Sequence, residues 1–193
     1  MSRSTWRYHL PSLRFVIAVV VAVLVLVAVF IWFGIYNIAA DAPHSRPVYV
    51  LLESLRDRSI AVHARSIQPP ADLEAPAHVG AGAGLYAEMC QGCHLGPGID
   101  PTEMAQGLYP QAPELAKSTD LSAAQKFWII KHGVKLTAMP AWGKTHPDPL
   151  IWDMVAFLQK LPSMSPAQYK AAVASAPEDH DAMMKDAADA EHH

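Results

Sequence analysis

From Phe15 to Ala40 the chain carries no charged residue, and Phe15 to Tyr36 is almost entirely aliphatic and aromatic. A helix needs about 20 apolar residues to cross about 30 Å of hydrocarbon, and this run is long enough. It has no polar face on which a surface helix could be solvated, so a place in a water-soluble core is a poor alternative. Trp32 and Tyr36 fall near its far end, where amphipathic rings favour the headgroup level. Arg3, Arg7 and Arg14 flank the near end and favour a cytoplasmic N-terminus; Arg46, Arg56 and Arg58 weaken that bias without reversing it. The rival is a cleaved signal peptide, whose apolar region usually spans about 7–15 residues. Its best small-residue site, Ala40-Asp41-Ala42, is followed by Pro43, an awkward neighbour for cleavage. The expectation is an uncleaved signal-anchor over 15–36, with 1–14 cytoplasmic and the remainder exported.

Hydrophobic residues make up 51% of the chain, but so many sit in this run that the average describes neither part of it. The 193 residues suit one modest domain with attachments. All 18 acidic residues lie at or beyond Asp41, so the exported part is net acidic. No basic stripe and no Gly-rich phosphate loop is present, which argues against nucleic acid or nucleotide as a partner.

After the span, residues 37–79 read as an amphipathic helix followed by a linker. Ser45 is a candidate cap with Pro47 in the first turn, and Val48, Leu51, Leu52, Leu55 and Val62 recur at roughly helical spacing. Glu53, Arg56, Asp57 and Arg65 are the polar positions. Such a helix suits a membrane surface, a partner, or the domain that follows. Ile67 to Pro76 reads as a proline-stiffened linker. His44 and His63 are expected to be solvated or helix-surface histidines, because no second cysteine motif accompanies them.

The chain has only two cysteines, and they stand in Cys90-Gln91-Gly92-Cys93-His94. A disulfide framework would use more cysteines at wider spacing. A thioredoxin-type dithiol would follow a strand, and none is patterned here; a four-thiol zinc site lacks ligands. Cys-x-x-Cys-His is the attachment signal for c-type haem. Two thiols reach two vinyl groups on one porphyrin edge and form thioethers, and the next histidine becomes an axial iron ligand.

Gly82 to about Pro162 resembles a class I c-type cytochrome domain. The resemblance rests on Leu85-Tyr86 before the cysteine motif, then Tyr109-Pro110 and Pro113-Glu114-Leu115. It continues through Phe127 to Gly133, Thr137-Ala138-Met139-Pro140-Ala141-Trp142, and Ile151 to Leu158 before Leu161-Pro162. It implies an all-α fold around one covalently bound haem c, with Cys90 and Cys93 as thioethers, His94 as proximal and Met139 as distal iron ligand. Pro140 restricts Met139 to extended geometry, as a loop ligand requires. Met104, His132, His146 and Met154 compete for that role; Met154 lies on an apolar helical face and His132 beside a helix-ending Gly133. The resemblance also implies a crossing of the first and last domain helices with Gly82 and Gly84 at the contact, and marks the Pro97 backbone as an acceptor for the His94 ring. The helices are expected from near Gly82, over about Ser122 to His132 with Ser122 or Asp120 as cap, and over Pro149 to Lys160.

Residues 80–162 are thus expected to be the cytochrome domain, and 163–193 a short helix and an acidic tail. Ser165-Pro166-Ala167-Gln168 fits a capping box. His180, Met183, Met184, His192 and His193 suit weak copper binding by the tail, beside the alternative of a solvated one. Two protein ligands leave iron no open position, so the resemblance implies an electron carrier rather than an enzyme. Its partners would be redox proteins: a membrane dehydrogenase or bc-type complex as donor, a terminal oxidase or reductase as acceptor. The place would be the periplasmic face of a bacterial inner membrane. A haem subunit fixed in a larger oxidoreductase, or a peroxidase or gas sensor, are the other readings.

Overall fold

The computed structural model describes residues 11–117 and 120–177. Every regular element among them is helical, as expected, and the chain divides into two units after Ala42.

The first unit is one helix, α1 (Leu13–Trp32), started by the Ser12 side chain accepting from the Phe15 N–H. At 1.5 Å per residue it is about 30 Å long, enough for a bilayer. None of its residues is buried. A helix apolar on every side and covered by no protein is compatible with a single-pass membrane anchor. It stops short of Tyr36, because Gly34 takes φ +57 and its N–H donates to the Ile31 carbonyl.

The second unit is built on α3 (Pro76–Met89) and α7 (Asp148–Lys160). α3 starts well before Gly82, because Pro76 sits in its first turn with no N–H to lose. The two helices cross at Gly82, where a Cβ would collide with the Asp153 carbonyl. That close approach lets Leu85 and Tyr86 bury completely beside Ile151, Met154, Val155 and Phe157, the Tyr86 and Phe157 rings 5.4 Å apart. Each such side chain removed from water contributes about 1.5–3 kcal/mol. Met154 is a core residue, as its apolar face implies.

α6 (Ala123–His132) packs on α7, with Phe127 stacked on Trp152 at 4.1 Å. Ser122, not Asp120, starts α6, in a reciprocal capping box with Gln125. The same device, Ser165 with Gln168, starts α8 (Pro166–Ala174), which returns to α3. Two short helices, α4 (Gln91–His94) and α5 (Glu103–Gly107), follow α3.

α2 (Arg46–Ala64) packs on α6, burying Ile60 and Ala64. The Ser45 side chain makes no capping bond. Of the apolar positions read from the sequence, Leu51, Leu55 and Val62 are exposed, so their side of α2 is not the one that meets the domain. Nor is the stretch from Ile67 to Pro76 a free linker. Leu73 joins the core, Lys160 pairs with Glu74 at 2.5 Å, and His78 bonds Asp153 at 2.6 Å and Asp72 at 3.4 Å. Burial pushes the Asp153 carboxyl up, and His78 pulls it partly back.

Candidate functional site

The cysteine motif sits where α3 ends. Cys90 is the last residue of α3's final turn, its N–H donating to the Tyr86 carbonyl, and Cys93 and His94 follow on α4. Both thiols are free. Cys90 is buried, and that burial, with Cys93 beside it, pushes its thiol up to about 12. A redox dithiol needs the opposite, a lowered thiol, so the site does not suit disulfide exchange. Cys93 Sγ lies 3.3 Å from Met104 Sδ.

His94 is oriented by one bond. Its Nδ1 lies 2.8 Å from the Pro113 carbonyl oxygen. A carbonyl can only accept, so Nδ1 carries the proton and Nε2 keeps its lone pair. Burial lowers the His94 pKa more than this bond raises it, which favours the neutral ring a metal requires. The acceptor is Pro113 and not Pro97. Nineteen residues separate the partners, so no local spacing marks the pair.

The backbone after His94 is pinned from outside. Tyr86 Oη–H donates to the Leu95 carbonyl at 2.6 Å, inside the core. Tyr169, from α8, donates to Gln91 Oε1 at 2.6 Å, its ring edge-on to Tyr86 at 6.3 Å. Burial raises both phenols, Tyr169 to about 12, so each stays a donor.

Met139 stands on a different support, the loop after α6. Gly133 takes φ +66, and a Cβ there would lie 2.7 Å from the Met139 carbonyl oxygen, so the loop folds back against the end of α6. The Val134 N–H donates to the Met139 carbonyl at 3.3 Å, and the Met139 N–H donates to Thr137 Oγ1 at 3.1 Å. The half-buried Met139 side chain packs on the same apolar cluster that contains Cys90.

The donor set fits a covalent haem: two unoxidised thiols, a neutral imidazole with a free Nε2, and a thioether on the cluster's border. Of the competing groups, Met104 is 63% exposed beside Cys93, and His132 is exposed with its ring 5.1 Å from Trp128. His146 is buried, its Nδ1 2.9 Å from Thr145 Oγ1. His44 donates its backbone N–H to Tyr109 Oη at 2.7 Å, and His63 bonds the Ser59 carbonyl at 2.8 Å. Among the described residues no group of three or more His, Cys, Asp or Glu side chains could hold a metal ion. The tail residues His180, Met183, Met184, His192 and His193 lie outside the described residues.

Sequence reasoning missed Pro113 and the Tyr169–Gln91 bond. Pro113 lay within the family pattern, which could have found it; nothing local to Tyr169 marks its reach. Residues 77–158 match the family model described as cytochrome c oxidase, cbb3-type, subunit III. Neither a search of curated proteins nor one of solved structures yields a match.

Proposed function

We propose that residues 77–158, which match the model of a c-type cytochrome family, serve in haem-based electron transfer, and that the chain is a membrane-tethered, single-haem carrier moving electrons between redox proteins. Its place is the periplasmic face of a bacterial inner membrane, with the N-terminus cytoplasmic. The observation that carries the reading is the His94 ring, held through Nδ1 with Nε2 free, one residue from the second of two free thiols. Haem c would supply a one-electron iron couple. Cys90 and Cys93 would attach it, and His94 and Met139 would ligate it. Thr137 and Gly133 hold the Met139 loop, and Tyr86 and Tyr169 hold the attachment segment. With His94 and Met139 both ligating the iron, no open site would be left for substrate, which favours a carrier over an enzyme.

The lysines suggest where a partner binds. Lys126, Lys135 and Lys144 form no ion pair among the described residues, whereas Lys117 and Lys131 pair with Glu114 and Asp148, and the exported part as a whole is acidic. A donor or acceptor with an acidic docking face suits the Met139 side, and its association would weaken as salt rises.

Spectra of the detergent-purified protein test the reading. One covalent haem by pyridine haemochrome, a methionine–iron charge-transfer band and no carbon monoxide shift are expected. Carbon monoxide binding with loss of that band would remove Met139 from the iron and favour a peroxidase or gas sensor. The printed name of the matched family, an oxidase subunit, favours a second reading as a permanent haem subunit of a multi-protein oxidoreductase. Purification in mild detergent separates the two: a carrier comes off alone, a subunit does not.

A further inference from the structure

We propose that the exposed apolar face of α2 lies on the bilayer surface, so that the chain meets the membrane along α2 as well as through α1. This rests on α1 being a membrane anchor. Leu51 and Leu55 are 67% and 65% exposed, and Val62 continues their stripe. The stripe cannot turn inward. Leu51 stands nine residues from Ile60, and Leu55 nine from Ala64, which is about 2.5 helical turns and therefore the opposite side. Ile60 and Ala64 are the residues α2 buries against its own domain. An exposed aliphatic stripe on a docked helix is a surface still to be covered.

The charges around the stripe select lipid as the occupant. Arg58 and Arg65 each follow a stripe residue by three positions and so share one flank of it. Neither forms an ion pair among the described residues, whereas Arg56 is held by Glu53 and Asp57. Both acids of α2, Glu53 and Asp57, stand two positions from Leu55, roughly on the far side. An apolar stripe edged by free arginines, with its carboxylates turned away, is the pattern of a helix lying in the interface plane, aliphatic groups in the acyl boundary and guanidinium groups at anionic headgroups. Chain length agrees. Residues 33–45 alone join α1 to α2 and, fully extended, span at most about 45 Å, so α2 starts near the surface that α1 crosses.

Nitroxide accessibility in liposomes of phosphatidylcholine and phosphatidylglycerol tests this on the full-length holo-protein. Single labels go on Val23→Cys, Leu55→Cys and Asp57→Cys; the unsubstituted protein is the blank, since thioethers take no label. At Leu55→Cys the ratio of oxygen to aqueous nickel-chelate collisions should exceed that at Asp57→Cys several-fold, while staying below that at Val23→Cys. Replacing phosphatidylglycerol by phosphatidylcholine, or the double change Arg58→Gln and Arg65→Gln, should lower the Leu55→Cys ratio. Equal ratios at Leu55→Cys and Asp57→Cys would overturn the proposal, leaving the stripe in water. A Leu55→Cys label shielded from both relaxants would overturn it in favour of a protein partner or second copy. If Val23→Cys were open to nickel, the anchor reading itself would fall, a result distinct from failure at Leu55→Cys alone.

Discussion

The two sides of the candidate haem site are built differently. On the His94 side, three separate parts of the chain converge on five residues: Tyr86 holds the Leu95 carbonyl, Tyr169 holds Gln91, and Pro113 holds the His94 ring. On the Met139 side the bonds are local, within the loop from Gly133 to Pro140. A motif that must present two thiols and an imidazole at once needs long-range bracing, because each group fixes the others' geometry. A single thioether ligand needs only a loop that does not sag. The first side should therefore govern whether the protein exists in its loaded form, and the second how its iron behaves.

The largest effect that could break this contrast comes from the two proposed ligands. His94→Ala is expected to reduce the yield of haem-loaded protein to near zero, whereas Met139→Ala should keep covalent haem, bind carbon monoxide and show a lower potential. Absorption spectra and a redox titration of both variants decide it; equal loss of haem would erase the contrast. Next comes the crossing beneath the His94 side. Gly82→Val drives a side chain into the Asp153 backbone and should cost about 3 kcal/mol or more, read by thermal unfolding.

A matched pair of hydroxyl deletions sharpens the comparison. Tyr86→Phe leaves the buried Leu95 carbonyl without its donor, a loss of about 1–3 kcal/mol, with no new carbon monoxide binding. Thr137→Ala removes the Met139 N–H acceptor and should cost about 1 kcal/mol, yet admit carbon monoxide. The smallest effect is one of pH. The bond to Asp153, more than any other contact, raises the His78 pKa, so the stabilisation is complete below about pH 6.5 and fades as pH rises through the raised folded value. His78 is a third exposed, so the contribution is under about 1 kcal/mol. Denaturant unfolding across pH should show a shallower decline in His78→Gln.

Much of this was legible in order along the chain. The uncharged run read as a helix long enough to span, and α1 is that helix. Ser165 with Gln168 was readable as a helix start, because a capping box is closed within four residues; for α6 Ser122 and Asp120 were both candidates, and the structure uses Ser122 with Gln125. The all-α class came with the resemblance to class I c-type cytochromes, and every regular element among the described residues is helical. α2 was legible as a helix but not in its orientation. Its periodicity marked the Leu51–Leu55–Val62 stripe as apolar without choosing membrane, partner or domain to cover it, and the domain took Ile60 and Ala64. Period alone identifies an apolar face without saying whether protein or lipid covers it.

By itself, then, the sequence determined the long apolar helix, the paired thiols with their histidine, and the Ser165 helix start. Each depends on atoms a few residues apart, which any chain with those residues brings together. Only the tertiary structure decided that Pro113 and not Pro97 holds the His94 ring, that Tyr169 reaches Gln91, that Leu73 leaves its apparent linker for the core, and which side of α2 stays open. Those choices rest on groups 19 to 78 residues apart. At such separations many carbonyls and aliphatic side chains are equivalent in sequence, and only the packing of α3 against α7 determines which ones arrive.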